Sequence, residues 1–97
     1  MRVIARKTLC DYWEHEPASK EALTAWFAEA EKADWESPAD IKTQYRNASV
    51  LKDSRVVFNI CGNKYRLIVR INFQFRTVYI RFIGTHKEYD AIDAGII

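Results

Sequence analysis

The sequence predicts an α+β fold: N-terminal helices packed on one face of a mainly antiparallel sheet, then a short C-terminal helix. Three observations carry that expectation. Leu23, Trp26, Phe27 and Ala30 recur at i, i+3, i+4 and i+7, which makes one apolar stripe on a helix. Three later runs alternate apolar and polar residues with a period of two, as strands with one buried face do. Thr85-x-x-Glu88 is a capping box, so a helix starts at His86. A chain of 97 residues has room for one core, and the expectation is a single domain over 1–97.

Taken in order, Arg2 to Ala5 is β-prone and fits an edge strand. Thr8 offers a hydroxyl cap to a first helix that carries Leu9, Tyr12 and Trp13. Pro17 ends that helix and opens the next, which runs from Ala18 to Ala33. Its aromatic stripe is read as core rather than as a ligand-stacking surface. Ser37 caps a third helix, with Pro38 in its first position and Asp40 in its first turn, ending near Tyr45. Asn47-Ala48-Ser49 reads as a loop.

The turns fix the register of the strands. A two-residue loop at Gly62-Asn63 suits a type II′ hairpin and sets Ile60, Phe58 and Val56 opposite Tyr65, Leu67 and Val69. A loop at Gln74-Phe75 sets Ile71, Val69 and Leu67 opposite Val78, Ile80 and Phe82. All six pairs are apolar, and a slip of one residue mixes the faces. On the opposite face the same register pairs Asn59 with Arg66, Arg55 with Arg70, Arg70 with Tyr79 and Ile68 with Arg81.

Charge follows the same division. Residues 1–41 carry a net −4 and residues 42–87 a net +9, while the whole chain carries only +2. A half-domain this basic attracts phosphates. Arg66, Arg70 and Arg81 on one sheet face repel one another unless an anion sits among them, and arginine forks suit phosphate. The bland alternative is a solvated face of splayed arginines. His86 and Lys87 stand at the start of the last helix, and Tyr89 shares a face with His86. Beside the arginines, His86 is a candidate proton carrier, since an unperturbed histidine titrates near ~6.5.

Other chemistries are excluded or unsupported. Cys10, His15, Cys61 and His86 have no metal-ligand spacing, so no metal and no cofactor is expected. The two cysteines read as reduced thiols. There is no phosphate-binding glycine loop and no GxSxG elbow. No apolar run spans a membrane, and the N-terminus is not built like a signal peptide, so the expected location is the cytoplasm.

Val57-Phe58-Asn59-Ile60, Gly62-Asn63-Lys64-Tyr65-Arg66-Leu67, Tyr79-Ile80-Arg81 and Thr85-His86-Lys87-Glu88-Tyr89-Asp90 closely resemble the HigB-type toxins of the RelE superfamily. The resemblance covers essentially the whole chain. It implies a RelE-like fold and an mRNA interferase that cuts messenger RNA in the ribosomal A site. It implies a helix-turn-helix antitoxin of the HigA type as partner, with operator DNA met only through that complex. For such a reaction His86 is expected to move a proton, and Arg66 and Arg81 to stabilise the phosphate. Tyr89 either positions a base or assists proton transfer, with Arg70 or Lys87 as a further contributor. Lys42, Arg46, Lys52, Arg55 and Lys64 are expected to hold ribosomal RNA through phosphate contacts. The competing reading is a non-catalytic RNA- or DNA-binding module. The sheet lacks the exposed aromatic pair of an RRM, which counts against it.

Overall fold

The computed structural model describes residues 1–97. The chain runs through β1 (Arg2–Ile4), α1 (Arg6–His15), a 3-10 turn at Pro17–Ser19, α2 (Lys20–Lys32) and α3 (Pro38–Gln44). It continues through β2 (Ser49–Val50), a second 3-10 turn at Lys52–Ser54, β3 (Arg55–Ile60), β4 (Tyr65–Asn72), β5 (Thr77–Thr85) and α4 (His86–Asp90). The five strands form one sheet in the order β1-β5-β4-β3-β2, antiparallel except where β1 runs alongside β5. This is the α+β architecture that the sequence predicts.

The helices cover one face. Leu23, Trp26 and Ala30 of α2 are fully buried, and they pack with Leu9 and Ile41 against Phe58, Leu67, Val69 and Ile80 of the sheet. Trp26 meets Phe58 edge-on at 5.4 Å, and Trp35 and Tyr45 close around the same ring. The aromatic stripe is therefore core.

Two helix starts differ from expectation. Thr8 lies inside α1, not at its cap. The strand pairing of Arg2–Ile4 ends abruptly, and Ala5 turns the chain at once by adopting a left-handed conformation (φ 74°). Ser37 occupies the cap position of α3, but its side chain makes no capping bond. Asp40 instead accepts from the Glu36 N–H at 2.9 Å. The expected loop at 47–49 ends in a strand, because Ser49 and Val50 pair with Val57 and Val56.

The hairpin registers hold through most of the sheet. Ile60, Phe58 and Val56 face Tyr65, Leu67 and Val69, and Ile71 and Val69 face Val78 and Ile80. The Lys64 N–H closes the first turn onto the Cys61 carbonyl, with Gly62 at φ 67°. Beyond Ile80 the register changes. Ile68 pairs with Phe82, not with Arg81, and Leu67 pairs with Ile83, not with Phe82. Arg81 is the extra residue of a β-bulge. The cause is the apolar doublet Phe82-Ile83. Ile83 joins the helix-side core, while Phe82 joins Val57, Ile68 and Ala94 in a second cluster on the other face.

Candidate active site

The open face of the sheet has two basic areas, and the bulge decides which residue belongs to which. At one end β5 runs straight into α4. The capping box forms as expected: the Glu88 N–H donates to the Thr85 hydroxyl at 3.1 Å, and the Thr85 N–H donates to the Glu88 carboxylate at 2.8 Å. The His86 N–H donates to the Lys64 carbonyl at 3.2 Å, which ties the start of α4 to the start of β4. Gly84 sits opposite Arg66, and a Cβ there would lie 2.6 Å from the Phe82 ring, so a larger residue at this corner must displace that ring.

Arg66, His86 and Tyr89 gather at this end. The Arg66 guanidinium lies 6.0 Å from the Tyr89 ring centroid and donates to the Asn63 carbonyl at 3.0 Å. His86 Nδ1 lies 3.4 Å from the Asp90 carboxylate, and both side chains are more than half exposed. A carboxylate at Nδ1 favours the tautomer whose Nε2 accepts a proton. Since α4 has five residues, its dipole is small and the positive field comes from side chains: Arg66 near the start of β4, Lys64 just before that strand and Lys87 in the first turn of α4.

A half-buried link fixes this end to the helical layer. The Tyr65 hydroxyl donates to Glu16 at 3.0 Å, and Tyr12 meets the Tyr65 ring edge-on at 5.9 Å. Burial, together with Glu88 and Glu16, pushes the Tyr12 phenol up to about 12. Burial and Glu16 also push Tyr65 up. Glu88 therefore serves both the α4 cap and α1.

At the other end Arg70 lies opposite Tyr79, and both line a concavity of about 590 Å³ with Arg81, Asp53, Ser54 and Asn72. Arg70 and Arg81 make no side-chain hydrogen bond and no ion pair. An apolar ridge of Val57, Ile68 and Ala94, flanked by Phe82, Ile92 and Ile97, covers the middle of the open face. The structure thus brings Arg66, His86 and Tyr89 together and places Arg81 with Arg70. Sequence reasoning missed Ser54, Asn72 and Asp53. Asp53 and Ser54 are both left-handed (φ 58° and 59°), and aspartate's tolerance of that conformation is the one signal available.

The remaining bases divide by how they are engaged. Arg55 donates to the Ile97 carbonyl at 3.0 Å and pairs with Asp53, and its side chain is only 11% exposed. Lys42 donates to the Arg46 and Ala48 carbonyls. Arg76 pairs with Asp34 and Glu36 and donates to the Trp35 carbonyl. Lys52 is exposed beside the groove between β2 and the C-terminal residues. No three His, Cys, Asp or Glu side chains converge as metal ligands, both cysteines are free, and no helix is long and apolar enough to cross a membrane.

Residues 19–92 match the family described as HigB_toxin, the RelE-like toxic component of a toxin-antitoxin system. The chain is 33% identical over 96 residues to the mRNA interferase toxin HigB of Escherichia coli (strain K12), which spans 97% of this chain and 92% of that protein. It has the same identity and coverage with the mRNA interferase HigB of Shigella flexneri. The mRNA interferase HigB of Escherichia coli O6:H1 is 24% identical over 94 residues, 95% of this chain and 91% of its own. The matched span takes in α2, the central strands, both basic areas and the α4 cap, and the chain belongs to the HigB family of RelE-like toxins, the toxic components of toxin-antitoxin systems.

Proposed function

We propose that this chain is an mRNA endoribonuclease that acts on the ribosome, cutting translated message in the A site and so stopping translation and growth. The observation that carries the reading is the meeting of Arg66, His86 and Tyr89 at the exposed end of the sheet, in a chain whose relatives are named mRNA interferases. Cleavage begins when the 2′-hydroxyl loses its proton and its oxygen attacks the adjacent phosphorus. The bond to the 5′-oxygen breaks, that oxygen takes up a proton, and the products are a cyclic phosphate and a free 5′-hydroxyl. His86 Nε2 moves the proton at one of these oxygens. Arg66 meets the charge that builds on the pentavalent phosphate, where a fixed donor is most effective. Tyr89, beside Arg66, orients it and offers its phenol to the second proton transfer. Arg81 adds positive field from across the apolar ridge, and Lys87 and Lys64 from nearby.

The partner is an antitoxin of the HigA helix-turn-helix type, the complex meets operator DNA through that antitoxin, and the site of action is the cytoplasm. An acidic or helical segment of the antitoxin suits the basic face and neutralises by covering it.

Primer extension on a message with and without its start codon, after induction of the chain, tests the reading. Cuts confined to the translated message are expected. Equal cutting of the untranslated message contradicts ribosome dependence. Bound but uncut RNA favours the alternative, a non-catalytic binding module.

A further inference from the structure

The concavity around Arg70 and Arg81 is not part of the cleavage centre. Arg66 and Arg70 are four residues apart on β4, about 13 Å along the strand. The buried ridge of Val57, Ile68 and Ala94 stands between the two areas. A phosphate held by Arg66 beside His86 is therefore a different phosphate from one held by Arg70.

The concavity combines three features. Its two guanidinia are unpaired, whereas Arg55 and Arg76 are neutralised by Asp53 and by Asp34 and Glu36. Two like charges on neighbouring strands with no counter-ion repel, and a shared anion relieves that repulsion. Tyr79 lies directly opposite Arg70, lines the same concavity as both arginines and is 39% exposed, so its ring is open to a ligand. The rest of the lining is Ser54, Asn72, Ile71, Phe73 and one acid, Asp53, whose carboxylate already accepts from Arg55 at 3.4 Å. Ser54 and Asn72 supply donors and acceptors of the kind that read a sugar or a base edge.

Resting on the nuclease reading above, we propose that this concavity is a nucleotide-binding subsite for single-stranded RNA. Arg70 and Arg81 share one phosphodiester and the Tyr79 ring stacks on the adjoining base. The bulge at Arg81 is what makes the subsite. Without the extra residue, Arg81 stands opposite Ile68, over the ridge. With it, Arg81 lines the same concavity as Arg70 and Tyr79. The aromatic ring favours RNA over an acidic peptide, because base stacking on tyrosine is independent of sequence and adds to the phosphate contact.

The RNA is either the message beside the cut or ribosomal RNA lining the site, and the chemistry is the same for both. The first arm uses a fluorescein-labelled six-nucleotide oligoadenylate RNA without ribosomes, so it reads binding whether or not the chain cuts. R70A/R81A and Tyr79→Ala are expected to weaken binding about tenfold or more, and Tyr79→Phe to retain it. R70A/R81A is also expected to flatten the salt dependence by about 0.7 in log–log slope, because one phosphate is no longer neutralised. Lys32→Gln, with the same change of charge as one of these arginine substitutions but at the exposed end of α2 in the helical layer behind the sheet, is the control. The second arm measures sedimentation with vacant ribosomes and cleavage of message on programmed ribosomes. Loss of sedimentation assigns the RNA to the ribosome. Retained sedimentation with a raised KM for cleavage assigns it to the message.

Wild-type chain that fails to bind the oligonucleotide overturns the subsite. So do R70A/R81A and Tyr79→Ala variants that bind it like wild type, and variants that lose only antitoxin binding. Binding that follows the expected pattern in a chain that cuts nothing removes the nuclease reading and leaves the subsite standing.

Discussion

The two faces of the sheet are built on opposite terms. The helix-covered face is a continuous apolar layer in which Trp26, Trp35 and Tyr45 close around Phe58, and it has no use for the basic charge. The open face has a short apolar ridge and two basic ends, one with a histidine and one with a tyrosine between free arginines. Charge in the sequence is therefore not the same as charge available to a ligand. Arg55, Arg76 and Lys42 serve the chain's own carbonyls and carboxylates. Arg70 and Arg81 serve nothing in the chain, and Arg66 is held by backbone and ring contacts that leave its charge uncompensated.

Breaking the covered face has the larger effect on stability. Trp26→Ala removes a fully buried ring from the centre of the helix–sheet contact and is expected to cost about 3–5 kcal/mol. For a domain of this size each kcal/mol lowers Tm by roughly 4–8 °C, so calorimetry reads the change directly. A loss below about 1 kcal/mol contradicts the placement of that ring at the core.

A smaller effect sharpens the link between the faces. The Tyr12 phenol is raised in the folded chain, so it favours the protonated folded form. Its contribution is fully present below about pH 10, the usual tyrosine range, and is lost as pH rises through about 12. Discounted for partial exposure, the contribution is on the order of 1 kcal/mol. Tyr12→Phe is expected to shallow the alkaline loss of stability, followed by denaturant unfolding at several pH values. Identical curves for variant and wild type contradict a half-buried Tyr12 phenol facing Glu88.

Much of this was legible in the residues. The i, i+3, i+4, i+7 stripe named the buried side of α2, and Thr85-x-x-Glu88 named the start of α4. Alternation and loop length fixed both hairpins up to Ile80. What was not legible depends on long-range packing. Phe82 and Ile83 are adjacent and both apolar, so alternation alone cannot say which faces the helices. The C-terminal residues Ala94 and Ile97 decide it by covering Phe82. That one-residue bulge moved Arg81 away from its expected partner Ile68 and toward Arg70. The left-handed Ala5 also left no signal, because alanine rarely turns a chain that way. The positions of Arg66, His86 and Tyr89 were legible because a capping box and a hairpin register are both local.

The α4 end of the open face is where the RNA bond is proposed to break. The most direct measurement is single-turnover cleavage of a message on saturating ribosomes by wild type, His86→Ala and Arg66→Ala, with thermal unfolding run alongside. The expected result is a rate lowered about 10²-fold or more in both variants, the range a proton carrier or a charge on the phosphate supplies, with unchanged unfolding for the exposed His86. Rates within about threefold of wild type contradict that placement and move the cleavage centre elsewhere on the chain.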